Sequence, residues 1–223
     1  MQRAWPYLAP YAALLTCAEL GGWLPKAFTP PLLALRVLVP ALLVGLAWRS
    51  GAFPELRPGP RGGEVWHDVA FGLAIAALWL APYLLAPRLP RGAGFDPNAL
   101  GAGGRTAWIA LRLVGFVAVS PLVEELFVRS FLHRAAEVWP EWRAFAARPI
   151  GRPQPRAFLV TVAWFTLSHQ PWEWWVALPT GALLNVWLYR SGRLRSVWLA
   201  HAVANGAIGG LVALGPFDLW AFL

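Results

Sequence analysis

Apolar residues gather into long, nearly unbroken runs at 5–24, 32–48, 66–86, 107–132, 157–170, 174–189 and 197–214. Backbone in hydrocarbon must satisfy its own hydrogen bonds, so a membrane-spanning chain is either helical or a closed barrel. A barrel requires alternating strands of about 10 residues; these runs are continuous, which predicts helices of about 20 residues per crossing. The stretches 49–65, 87–106 and 133–156 are rich in Pro, Gly and Arg and read as loops. Trp residues flank many runs, among them Trp5, Trp23, Trp48, Trp66, Trp108, Trp172, Trp174, Trp175 and Trp198, as amphipathic rings do at a membrane interface. A last stretch, Pro216 to Leu223, is too short to cross alone. With no internal repeat, the expected architecture is all-α. It is a single integral membrane domain over residues 1–223, a polytopic transmembrane bundle of seven to eight spans.

Composition agrees. Of the 223 residues 58% are hydrophobic and 13% charged, with a mean hydropathy of +0.50. Soluble domains carry about 25% charged residues, so this chain has too few to cover a water-exposed surface. Disorder, a coiled coil and most soluble enzymes are excluded. The net charge of +8 comes almost wholly from arginine, Lys26 being the only lysine. The arginines lie between apolar runs, which suits anionic lipid headgroups rather than nucleic acid. An N-terminus in the cytoplasm puts Arg3, Arg49, Arg57, Arg61, Arg134, Arg143, Arg148, Arg152, Arg156, Arg190, Arg193 and Arg195 inside. Only Lys26, Arg88, Arg91 and Arg105 then lie outside, and the positive-inside rule favours that orientation. One cysteine, Cys17, rules out an intrachain disulfide and a cysteine-based metal site. Thr16 and Glu19 flank it poorly for a lipoprotein signal, so 5–24 reads as a retained span. Richness in Arg, Ala, Gly and Pro points to a GC-rich, bacterial source and its inner membrane.

Charge at mid-bilayer costs at least about 2.5–3.5 kcal/mol on insertion scales, so polar residues inside the runs need a reason. Most fall in three segments. In the first, Glu124-Glu125-x-x-x-Arg129, the residues Glu125 and Arg129 are four apart and share a helix face. Glu124 points elsewhere and stays free for proton transfer, while Pro121 ahead of it can kink the helix and admit water. A structural Glu–Arg strut is the competing reading. The second segment, Phe165-x-x-x-His169, also shares a face. The third, His201-x-x-x-Asn205, aims an imidazole and an amide at one point, as a polar helix clamp or as donors to a developing oxyanion. The simplest way to satisfy all three is one intramembrane polar cavity. It would hold a carboxylate base and neutral donors with no Ser or Cys nucleophile, a set suited to attack by activated water.

The three motifs, in this order and spacing, resemble the type II CAAX prenyl proteases within the wider family of CAAX proteases and bacteriocin-processing enzymes. The likeness covers about half the chain, its catalytic motifs within 107–210. It implies an intramembrane endopeptidase, usually of eight spans, with a cavity open toward the cytoplasm. The substrate it implies is a membrane-associated peptide or lipidated, prenylated CAAX-like protein. By resemblance Glu124 and His169 activate water, His201 and Asn205 hold the oxyanion, and Glu125 and Arg129 orient the site. Val128 and Ser130 depart from the Phe and Gly that often flank the arginine, and Thr180-Gly181 fits a small-residue segment before the last motif. Glu124, His169 and His201 are the zinc ligands if a metal is present; the absence of a His-Glu-x-x-His pattern and the oxyanion character of Asn205 favour none. A proton-coupled transporter and a non-catalytic scaffold or immunity protein of the same fold remain alternatives. Elsewhere, Glu19 and Arg36 are expected to pair as a bridge, Arg112 to snorkel outward, His67 and His133 to lie at interfaces, and residues 172–175 to form an interfacial turn.

Overall fold

The computed structural model describes residues 4–57, 65–86, 88–92, 94–214 and 220–222. Arg3, Arg61 and the stretch 215–219 lie outside them. Long helices stand where the apolar runs lie. They are α1 (Trp5–Trp23), α2 (Thr29–Arg49), α3 (Val65–Leu85), α4 (Pro97–Glu137), α5 (Pro155–Leu167), α6 (Trp174–Ser191) and α7 (Leu194–Leu214). Among the described residues, four helical stretches are long and apolar enough to cross a membrane: Lys26–Arg49, Val65–Leu85, Pro97–Glu137 and Leu194–Leu214. The protein is a helical membrane bundle. After α7 the described residues hold one short turn, Trp220–Phe222, docked on Trp108 and Tyr83. The described part of the last stretch therefore makes no eighth span.

The loop expected at 87–106 is half helix. Asp96 caps the start by accepting the Asn98 backbone N–H at 2.9 Å, Pro97 fits the first turn, and α4 then runs 41 residues to Glu137. The apolar run 107–132 covers roughly the middle two-thirds of it.

Packing follows the small residues. A Cβ at Gly72 would lie 2.4 Å from the Ala200 carbonyl oxygen, so only glycine lets α3 approach α7 this closely. One core cluster joins α3, α6 and α7 through Ile75, Tyr83, Leu184, Val197 and Ile208. A second joins α1 to α4 through Tyr7, Tyr11, Phe127 and Phe131, and a third joins α2 to α4 through Leu33, Val37 and Trp108. The outer face is apolar too. Leu35, Leu38, Leu42 and Leu46 form a stripe along α2 and are each at least half exposed, as a helix facing lipid requires.

Candidate active site

The site is built around a change of helical pitch in α4. Residues Gly115–Val119 and Glu125–Leu132 are π-helical, with one α-helical turn between them. Ser120 donates its backbone N–H to the Gly115 carbonyl, five residues back. Pro121 has no N–H to offer the next carbonyl, that of Phe116. Asn205 supplies the missing donor: its Nδ2 lies 2.7 Å from the Phe116 oxygen. A proline on α4 thus fixes the side chain of α7 that completes the third motif. Such widened turns are frequent at functional sites.

Glu125 and Arg129 lie behind the cavity wall, both fully buried. Arg129 Nη1 donates to Glu125 Oε1 at 3.3 Å, and its Nη2 donates to the Gly181 carbonyl at 3.4 Å. The guanidinium sits 4.6 Å from the Phe165 ring centroid. Gly181 is needed for this arrangement, since a Cβ there would meet Phe165 at 3.0 Å. The same Glu125 oxygen accepts from His201 Nδ1 at 2.7 Å. A carboxylate beside Nδ1 fixes its hydrogen there and leaves Nε2 for the cavity. His169 is set the same way. Its Nδ1 donates to the Phe165 carbonyl at 2.6 Å, and its ring is held between Phe165 at 4.5 Å and Trp79 at 5.4 Å between centroids. A carbonyl only accepts, so this tautomer also presents Nε2.

Glu124, His169, His201 and Asn205 line one cavity of about 290 Å³. Tyr11, Ser120, Ser168 and Thr180 line it as well. The expected gathering of three motifs around one hollow is thus present, with Glu125 and Arg129 as its support rather than its wall. Among the described residues no three His, Cys, Asp or Glu side chains converge closely enough to hold a metal ion.

Several polar residues sit elsewhere than expected. Glu19 and Arg36 make no ion pair; both line the cavity, Glu19 at its exposed rim. Arg112 also faces the cavity instead of snorkelling outward, its guanidinium 5.7 Å from the Phe116 centroid. Lining a shared hollow satisfies these charges without reaching the bilayer surface. His67 is exposed, whereas His133 is buried and bonded to the Tyr189 hydroxyl at 2.8 Å. Ser130 is buried, and its hydroxyl donates to Glu55 and accepts from Arg134 Nη2 at 2.6 Å. The departure at that position ties α4 to the turn after α2. The 170–173 turn is closed by a capping box between Gln170 and Glu173, and burial pushes the Glu173 carboxyl up to about 7.

The order of the helices fixes where the cavity opens. Among its lining residues Glu19 and Gln170 are exposed. These belong to the bundle end that carries the α1–α2 and α5–α6 connections. Arg49, Arg134, Arg148, Arg152, Arg156 and Arg193 lie at the opposite end, beside the α2–α3, α4–α5 and α6–α7 connections. A cytoplasmic N-terminus and a mouth open to the cytoplasm are therefore mutually exclusive.

The family model of the type II CAAX prenyl endopeptidases, Rce1-like, matches residues 106–207. That segment is slightly under half the chain and contains all three motifs. Neither a curated protein nor a solved structure matches the chain. The matched segment supplies the pitch change, the buried Glu–Arg pair and all four cavity-lining motif residues, and over it the chain is similar to the CAAX protease family of membrane proteases.

Proposed function

We propose that the protein is an intramembrane endopeptidase that hydrolyses a peptide bond of a membrane-associated substrate with water activated by Glu124 and His169. The supporting observation is that four side chains from three distant motifs line one cavity. A water held between the Glu124 carboxylate and His169 Nε2 loses its proton to Glu124 as its oxygen attacks the scissile carbonyl carbon. The carbonyl oxygen becomes the oxyanion. His201 Nε2 donates to it when both ring nitrogens carry hydrogen, with Nδ1–H on the Glu125 carboxylate. Asn205 donates with the amide hydrogen that Phe116 leaves free. Glu124 then passes its proton to the leaving amine, and the C–N bond breaks. All of these steps run through protein groups and water, with no metal.

The Glu125–His201 contact favours one further assignment, with neutral His201 Nε2 as the base in place of Glu124. Single-turnover cleavage by Glu124→Gln separates the two: it is lost if Glu124 is the base and retained if His201 is. Comparative proteomics of membranes carrying the parent or Glu124→Gln protein tests the whole reading. An uncut precursor accumulating only with the variant is expected. Identical membrane proteomes, together with proteoliposome flux that depends on Glu124, would replace proteolysis by proton-coupled transport. An unchanged cellular role for a Glu124→Gln, His169→Ala double variant would indicate a scaffold.

A further inference from the structure

We infer that a groove at the arginine-rich end of the bundle, between α1, α4 and α5, binds one anionic phospholipid, with its phosphate on Arg156 and an acyl chain along α4. The groove lies apart from the polar cavity and shares no lining residue with it. It is therefore independent of the proteolytic reading.

The groove has a volume of about 410 Å³. Leu8 of α1, Val160 of α5 and the end of α4 line it. On α4, Phe131 and Ala135 are four residues apart, and Trp139 follows at the same interval, so they form one stripe. Ala135 and Ala136 carry no atom beyond Cβ, and the space between the larger side chains stays open. The stripe runs about 12 Å at 1.5 Å per residue, against about 15 Å for half of the bilayer hydrocarbon. Trp139 is 58% exposed, and Trp142 also lines the groove. Indole rings in this position belong to the membrane interface.

Charge identifies the headgroup. From His133 to Arg156 the chain carries five arginines and two glutamates. Arg134 pairs with Glu55, while Arg148 and Arg152 share Glu137. Arg156 lines the groove and makes no ion pair or hydrogen bond among the described residues. Arg143 has no ion pair among them either, and its guanidinium sits 5.0 Å from the Trp142 ring centroid. The remaining acid of the segment, Glu141, is exposed. Two unmatched guanidinium groups beside an apolar trough at the interface suit a headgroup of net negative charge, and a guanidinium fork holds its phosphate through parallel N–H donors. Phosphatidylcholine has the same chains and phosphate but balances its own charge. Arg156 stands in the first turn of α5, the helix that leads to His169, and Phe131 stands in the π-helical stretch that carries Arg129. A lipid here clamps the helices of the first two motifs to each other.

Native mass spectrometry of the full-length protein tests this, in micelles holding equal amounts of phosphatidylglycerol and phosphatidylcholine with matched chains. One retained phosphatidylglycerol is expected, roughly tenfold over phosphatidylcholine. Arg156→Gln should bring the two lipids close to parity, and Arg156→Lys should keep part of the preference. Arg190→Gln removes the same charge from an exposed residue outside the groove and should change nothing. Ala136→Trp keeps every charge but fills the trough, and should lower retention of both lipids. The comparison of the two lipids on the parent protein needs no variant to fold. Equal retention by the parent, a preference that survives Arg156→Gln, or an equal loss in Arg190→Gln overturns the proposal. So does undiminished retention by Ala136→Trp, which removes the acyl chain from the groove. Displacement of the lipid by soluble glycerol phosphate would make Arg156 a free-phosphate site and overturn the lipid assignment. A dimer that excludes lipid would give the groove to a second copy of the chain and overturn it too.

Discussion

Glu125 accepts Arg129 and His201 on one carboxylate oxygen, with its other oxygen buried and unpartnered. That carboxylate is the point where the first and third motifs meet. Arg129→Met leaves its charge only half compensated, and breaking such a pair costs about 3–5 kcal/mol. The double variant Glu125→Leu, Arg129→Met should recover most of that loss, because two desolvated charges disappear together. Activity should not return, since His201 loses the group that sets its tautomer. Thermal unfolding in detergent, run beside a cleavage assay, checks both halves. Substitutions at the cavity wall should behave differently. Glu124→Ala and His169→Ala should abolish cleavage in protein that remains folded by size-exclusion profile. Asn205→Ala should lower turnover by about 10²–10³, the size of a lost oxyanion donor. It should also lower thermal stability, because the Phe116 carbonyl loses its partner. At this scale the Glu125–Arg129 pair could be read directly, since a four-residue spacing fixes a shared helix face. The positions of Arg36 and Arg112 could not, because each depends on which neighbour the helix turns toward.

At the scale of elements, Pro121 matters for what it withholds. In its place an alanine would offer an N–H to the upstream carbonyls, and α4 could relax toward regular pitch. We expect Pro121→Ala to be no less stable than the parent. Its turnover should fall, because Asn205 competes for a carbonyl that the helix now satisfies internally. Turnover equal to the parent's, measured on the folded variant, would sever the link between proline and Asn205. The kink before the glutamates follows from the chemistry of proline and is legible in the sequence. Two π-helical stretches and an α7 amide docked on the freed oxygen are not, since they depend on the partner helix. Helix ends show the same division. The apolar run 107–132 marks only the middle of α4, because hydropathy reports contact with lipid rather than backbone hydrogen bonding.

For the whole molecule, the mouth of the cavity and the arginine-rich loops lie at opposite ends of the bundle. If the positive-inside rule holds, substrate enters from the non-cytoplasmic face. A Gln170→Cys variant in a Cys17→Ser background should then react with a membrane-impermeant maleimide in right-side-out vesicles. Labelling confined to inside-out vesicles would place the mouth in the cytoplasm and the N-terminus outside. Dialysis of the active protein against a strong chelator should leave cleavage unchanged and release no stoichiometric metal by elemental analysis. Loss of activity restored by zinc would overturn the metal-free mechanism.

The sequence by itself determined the environment, the all-helical class and the three polar motifs that reach the cavity. Each follows from local rules: the solvation of apolar runs, the self-satisfaction of backbone in lipid, and the angular spacing of side chains on one helix. The tertiary structure decided which of those side chains share a hollow and which stand behind it. It turned His201 toward Glu125, set Asn205 on a backbone oxygen, buried His133 and brought Arg36 and Arg112 to the cavity. These outcomes depend on how close two helices approach, which glycines such as Gly72, Gly115 and Gly181 set through contacts distant in sequence.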